Sequence, residues 1–191
     1  MSPLRILLSF APWIVFAILS GQAPASTTIA ILAALAVTIV TGYQDLAKKY
    51  VLAWVTLVFF VFSSGAVIVL KWYFLIPLLG ILSMASLSLV CWITAAFGKP
   101  FTLPYALEGA SPAIVASRQF LRANYVITGV WGFIFVANTL IAIAAYSIPG
   151  LHDSGLGNAT WITILIGVAF TVWYPAYLQK RYSRQMGSGA E

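Results

Sequence analysis

Apolar residues along this chain come in long blocks, separated by short polar punctuation. The blocks fall at 4–21, 26–43, 51–70, 74–97, 124–148 and 159–179. Each approaches the ~20 residues that a helix needs to cross a hydrocarbon core. A soluble amphipathic helix would repeat every 3.6 residues. A membrane β-barrel would alternate over segments of about 10 residues, and neither pattern is present. The expected fold class is therefore all-α: a polytopic transmembrane bundle of six spans forming one domain over 1–186.

The punctuation predicts local detail. Ser26 is placed to cap the second block. Lys71-Trp72-Tyr73 is short enough to make the third and fourth blocks an antiparallel hairpin. The longest break, 98–123, opens as Gly98-Lys99-Pro100-Phe101-Thr102-Leu103-Pro104-Tyr105, whose prolines argue against a regular helix there. Ser111-Pro112 reads as a cap followed by a first-turn proline. From it a helix of about 36 residues, ~54 Å long, is expected to run unbroken into the fifth span. Met1–Ala23 has the basic start and small residues of a signal peptide, but its apolar stretch is long and Pro24 would follow the cut. A retained first span is expected. Residues 187–191 have the composition of a flexible tail, such as a cloning remnant.

Charge turns the block count into an orientation. Arg5, Lys48, Lys49, Lys99, Arg118, Arg122, Lys180, Arg181 and Arg184 fall on one side of a six-span layout, and only Lys71 on the other. Positive charge stays in the cytoplasm, so both termini are expected inside, in a bacterial inner membrane. Tyr43, Tyr50, Tyr125, Tyr174 and Tyr177 near one boundary, and Trp72, Tyr73, Tyr146 and Trp161 near the other, suit interfacial belts.

Composition agrees. The 191 residues are 62% hydrophobic and 7% charged, against about 25% charged in a soluble domain. The net charge of +6 contains no run of five or more basic residues, so nucleic acid is not an expected partner. The lipid bilayer is, together with other membrane proteins or further copies of this chain.

Candidate chemistry is sparse. No ionisable residue falls deep inside a span, which argues against a proton relay. A single cysteine, Cys91, and a single histidine, His152, give no metal or haem ligand set and no nucleophile–base pair. No catalytic, metal or cofactor-binding residues are expected. His152-Asp153 reads as a solvated loop pair. Asn158-Ala159-Thr160 fits a glycosylation pattern that matters only in a eukaryotic secretory compartment.

Three polar or small-residue patterns remain. Ser26, Ala30, Ala34, Thr38 and Gly42 recur every four residues, a face for close helix packing within the monomer or at a homodimer seam. Asn138 and Thr139 in the fifth span, with Ser83 and Ser86 in the fourth, could line a polar cleft; Ser63, Ser64 and Ser88 are milder candidates. Packing and hydrogen bonding between spans three and four is the plainer expectation for the serines. Lys99, Arg118 and Arg122 suit lipid phosphate, or simply set topology.

The segment Gly98–Pro104 resembles the bacterial intracellular septation protein A family, in which a glycine-lysine pair precedes a Thr-Leu-Pro-like turn after the fourth hydrophobic block. Phe10–Trp13, the Lys71-Trp72 hairpin, Asn138 and the basic end of the last span follow the same layout. The resemblance implies a non-enzymatic inner-membrane protein of envelope maintenance or septation, acting through helix packing and partner contacts. The alternative expectation is a small channel or carrier for a neutral or apolar solute.

Overall fold

The structure is a computed structural model. It describes residues 3–108, 110–148 and 156–187, without the side chains of 3, 4, 156–158, 179 and 181–187. His152, Asp153, the Asn158 side chain and the tail 188–191 lie outside the described residues. Among the described residues the chain is helical and holds no strand. Five helices are long and apolar enough to cross a membrane: Pro24–Ala47, Val51–Val69, Tyr73–Ala96, Arg118–Ser147 and Ala159–Leu178.

The first apolar block is two short helices, α1 (Pro3–Ser9) and α2 (Ala11–Leu19), broken at Phe10. Pro12 explains the break. It has no N–H to give the Leu8 carbonyl, and its ring would crowd that oxygen. The chain tightens instead, Phe10 N–H reaching Leu7 O at 3.1 Å, and resumes with Ile14 N–H on Phe10 O. From end to end α1 and α2 still traverse the bundle. Arg5 meets Gln44 and Asp45 at one end, and Ser20–Gln22 lie beside Ile76–Gly80 at the other. We call these the basic end and the hairpin end.

Helix α3 (Pro24–Ala47) outruns its apolar block by a turn, and Asp45 is buried in that extra turn. Helix α4 (Val51–Ser63) passes into a π-helical stretch, Ser64–Val69, before the hairpin turns at Lys71 with φ 54°. Helix α5 (Ile76–Ala96) packs chiefly on α8, less on α4. The close approach has a cause: a Cβ on Gly132 would stand 2.9 Å from the Trp92 ring.

Two expectations for the long break are corrected. A short helix, α6 (Leu103–Leu107), forms around Pro104, because that residue sits in the first turn, where a missing N–H costs no helical bond. The 36-residue helix does not form. Helix α7 (Pro112–Val115) stops at Ala116, and α8 (Arg118–Ser147) starts afresh from Ser117. The Ser117 hydroxyl accepts from Phe120 N–H at 3.2 Å, an N-cap that outcompetes continuation.

The last helix, α9 (Leu156–Gly187), lies antiparallel along α8. Trp131 Nε1 donates to Thr171 at 2.9 Å and Thr163 donates to Asn138 at 2.9 Å. Gly167 admits the Trp131 and Ile134 side chains, which a Cβ there would meet at 3.0 and 2.8 Å.

Candidate functional site

Residues 97–117 do not lie over the basic end; their middle is buried in it. Pro100, Phe101, Thr102, Tyr105 and Ala106 are buried, Thr102 completely. Thr102 Oγ1 shares a hydrogen bond with Thr128 Oγ1 at 3.0 Å and donates to Asn124 O at 3.2 Å. The Phe101 ring meets Phe10 edge-on at 6.1 Å. Tyr105 meets Tyr50 edge-on at 5.0 Å. The turn is driven inward because its apolar side chains gain burial among α1, α4 and α8, while Gly98, at φ 78°, supplies the left-handed step that leaves α5.

A charge cluster closes over this segment. Glu108 accepts from Lys48 Nζ and from Tyr50 Oη, each at 2.6 Å, and is ion-paired with Arg5. Arg5 also reaches Asp45 Oδ1 at 3.4 Å and Gln44 Oε1 at 3.2 Å. One carboxylate thus joins the first helix, the end of α3, the start of α4 and the turn. Burial, reinforced by the charge of Asp45, pushes the Tyr105 phenol up from its ordinary value, so it stays protonated. Ser9 and Asp45 stand near the Tyr105 hydroxyl, but neither is in hydrogen-bond geometry, and that oxygen is buried without a partner. Burial pushes the Tyr50 phenol up as well, which keeps it a donor to Glu108.

Above the turn, the side of the bundle holds an apolar crevice of about 400 Å³. It lies between the first helix and α9, floored by α5 and α8. Phe10, Trp13, Leu87, Trp131, Phe135 and Ile164 form its walls. The first helix creates it by its break: α2 packs closely on α3, whereas α1 touches α3, α6 and α9 alike. Ile14, Ala17 and Trp161 edge the opening and are exposed, so it faces sideways from the bundle.

The two wall tryptophans keep their polar atoms out of it. Trp13 Nε1 donates to Thr56 at 2.9 Å and Trp131 Nε1 to Thr171 at 2.9 Å. Each indole is turned so that a threonine on another helix satisfies its N–H. Phe10 stacks on Trp131 at 5.0 Å, and Trp131 on Phe135 at 5.3 Å. Aromatic faces and aliphatic side chains remain, with Thr160 as the one hydroxyl-bearing wall residue.

The polar residues singled out from sequence do not assemble into a cleft. Ser63, Ser64, Ser83, Ser86 and Thr139 each donate to a carbonyl of their own helix, at 2.7–2.8 Å. In hydrocarbon the nearest acceptor for a hydroxyl is the carbonyl one turn back. Ser63 and Ser64 therefore do not hydrogen-bond to the fourth-span serines. Asn138 is buried and pairs with Thr163 of α9 through its oxygen, while its Nδ2 has no partner. In the small-residue row, Ala30, Ala34 and Thr38 are buried inside the monomer, and Ser26 and Gly42 are partly so. Lys99, Arg118 and Arg122 are exposed at the basic end.

The chain matches no protein-family model, no curated protein and no solved structure. Sequence reasoning missed the buried turn, its charge cluster and the crevice. A signal for the first two existed. Asp45 and Glu108 are two of only four acidic residues, and both fall in breaks that also carry the basic residues Lys48, Lys49 and Lys99. The crevice had none, since its walls come from five helices.

Proposed function

We propose that this is a six-span protein of a bacterial inner membrane, with both termini cytoplasmic, that holds an apolar chain in its side crevice and carries out no covalent chemistry. The crevice is the observation that carries the reading. Its size lies within the ~300–1,000 Å³ of ligand sites. It opens where lipid would lie, and the donors of its two buried tryptophans, Trp13 and Trp131, are already satisfied. A polar solute would find few partners there, Thr160 and Trp161 at the rim, whereas a hydrocarbon chain gains contact with aromatic faces. Of the two forms of the carrier expectation, this supports the apolar solute. A polar channel would need hydroxyls and amides turned inward, whereas the serines and Thr139 bond to their own helices and Asn138 pairs with Thr163 of α9.

The test is photolabelling in liposomes with a long-chain alcohol bearing a mid-chain diazirine. Adducts are expected on Met84 and Ile164, and Ala17→Trp should reduce them about tenfold, the effect of ~1.4 kcal/mol. Labelling spread evenly over all lipid-facing helices, or unchanged by Ala17→Trp and Ile164→Trp, would sink the reading.

A second reading keeps the envelope or septation role that the Gly98–Pro104 resemblance implies, exerted through membrane partners or a further copy of the chain. Its support is the placement of that segment in the core of the basic end, with Lys99, Arg118 and Arg122 exposed alongside to meet lipid phosphate or a partner. Deletion of the gene with no change in division or envelope integrity would count against it.

A further inference from the structure

We propose that Lys99–Glu108 is a movable plug, latched shut by Arg5, Lys48 and Tyr50 on the Glu108 carboxylate, whose withdrawal opens the basic end of the bundle toward the crevice. This rests on the crevice reading only for what the opening admits; the movement stands on its own geometry.

The plug is separable from the bundle. Its backbone hydrogen bonds are all local: Lys99 N–H to Thr94 O, Leu103 N–H to Pro100 O and Ala106 N–H to Thr102 O. Among the described residues only the Lys99 N–H bond to Thr94 O, at the very start of the segment, ties its main chain to another element, the end of α5, so the rest can move as a unit without breaking a ladder. Gly98 on one side and the non-helical Ala110-Ser111 on the other bound it.

The closed seam is imperfectly satisfied. Tyr105 Oη and Asn124 Oδ1 are buried there without hydrogen-bond partners. A buried polar atom left unpaired disfavours the state that buries it, and water entering on withdrawal would satisfy both. What opposes withdrawal is the Phe101 and Tyr105 packing, the Thr102–Thr128 contact and the latch.

The latch is built to be broken. The Arg5 and Lys48 side chains are 32% and 46% exposed, so water and salt compete for them. All three donors converge on one carboxylate, so a single event, its protonation or its capture by a competing cation, releases them together. The plug also reaches the crevice. Phe101 backs Phe10, which stacks on Trp131, and both of those rings are crevice wall.

The experiment places a reporter thiol on the plug. Ala106→Cys, buried and conservative in size, is made in a Cys91→Ala background and reconstituted into membranes. Its reaction with a water-soluble maleimide is timed from the basic end. Slow reaction is expected with the latch intact, and about tenfold faster reaction with Glu108→Gln, as ~1.4 kcal/mol of latch energy would give. A disulfide between Arg5→Cys and Glu108→Cys, with reagent added afterwards, should suppress it. Thr102→Cys serves as reporter if Ala106→Cys does not fold. An unchanged rate with both Glu108→Gln and Arg5→Gln would overturn the proposal. So would equal acceleration at Cys91, buried in α5 and read in a separate Glu108→Gln protein that keeps this native thiol as its only one, because the whole bundle would then have loosened. A failed photolabelling experiment would leave these rates untouched, so the two readings fail separately.

Discussion

Arg5 in the first helix is ion-paired with Glu108, at the end of the turn that follows α5. The contact joins two segments far apart in sequence, and it places the basic start of the chain and a buried turn under one carboxylate. Lys48 and Tyr50 complete the set of donors.

Removing that charge should cost stability modestly and in a salt-dependent way. Glu108→Gln is expected to lower unfolding free energy by about 1 kcal/mol, since the basic partners remain partly solvated. Thermal unfolding in detergent at low and high salt checks it. The deficit should shrink as salt rises; an equal deficit at both would show that the charge is not what matters.

The two indole donors make a sharper test. Thr171→Val leaves the Trp131 N–H buried without its acceptor, and Thr56→Val does the same to Trp13. Each should cost ~1–3 kcal/mol, and Trp131→Phe, which removes the donor too, should cost less than Trp131→Ala at ~3–5 kcal/mol. Equal losses for the phenylalanine and alanine variants would mean that ring packing contributes little.

Gly167 sets the distance between α8 and α9. Gly167→Leu should push α9 away from Trp131 and lower the unfolding temperature, whereas Gly129→Ala, where a Cβ meets nothing within 4 Å, should leave it within a degree or so. A tolerated leucine at 167 would show that α9 is not seated as described.

Asn138 should prove dispensable. Its oxygen has one partner, Thr163, and its Nδ2 has none. Asn138→Leu loses the bond but also frees the structure of an unpaired donor, so its net effect should stay within about 1 kcal/mol. A larger loss, read by detergent unfolding, would point to a polar partner such as water at Nδ2.

Topology remains the proposal most easily overturned. An impermeant thiol reagent should reach Lys71→Cys from outside the cell and Lys49→Cys from inside only. The reverse pattern would invert the orientation read from the basic residues.

Much of the architecture was legible in the chain. Blocks of apolar residues longer than any soluble strand gave five helices long enough to cross a membrane, because a backbone in hydrocarbon must satisfy itself, while the first block became two short helices. Lys71-Trp72-Tyr73 placed the hairpin and Ser111-Pro112 the start of α7, but Ser26 is no cap, because Pro24 takes the first turn and starts α3 two residues earlier. The unbroken helix from Pro112 does not form either, since the strength of a Ser117 cap against continuation turns on local competition that periodicity does not weigh.

The sequence by itself determined that this chain is a helical bundle with most of its basic residues toward one end. Hydropathy and charge are local quantities, and the bilayer reads them locally. Only the tertiary structure decided that Gly98–Glu108 turns inward rather than outward, that Glu108 collects Arg5, Lys48 and Tyr50, and that Trp13 and Trp131 give up their N–H groups to Thr56 and Thr171 and leave an apolar crevice. Those outcomes depend on which side chains meet across helices, and α1, α3, α4, α5, α8 and α9 had to be packed before any of them existed.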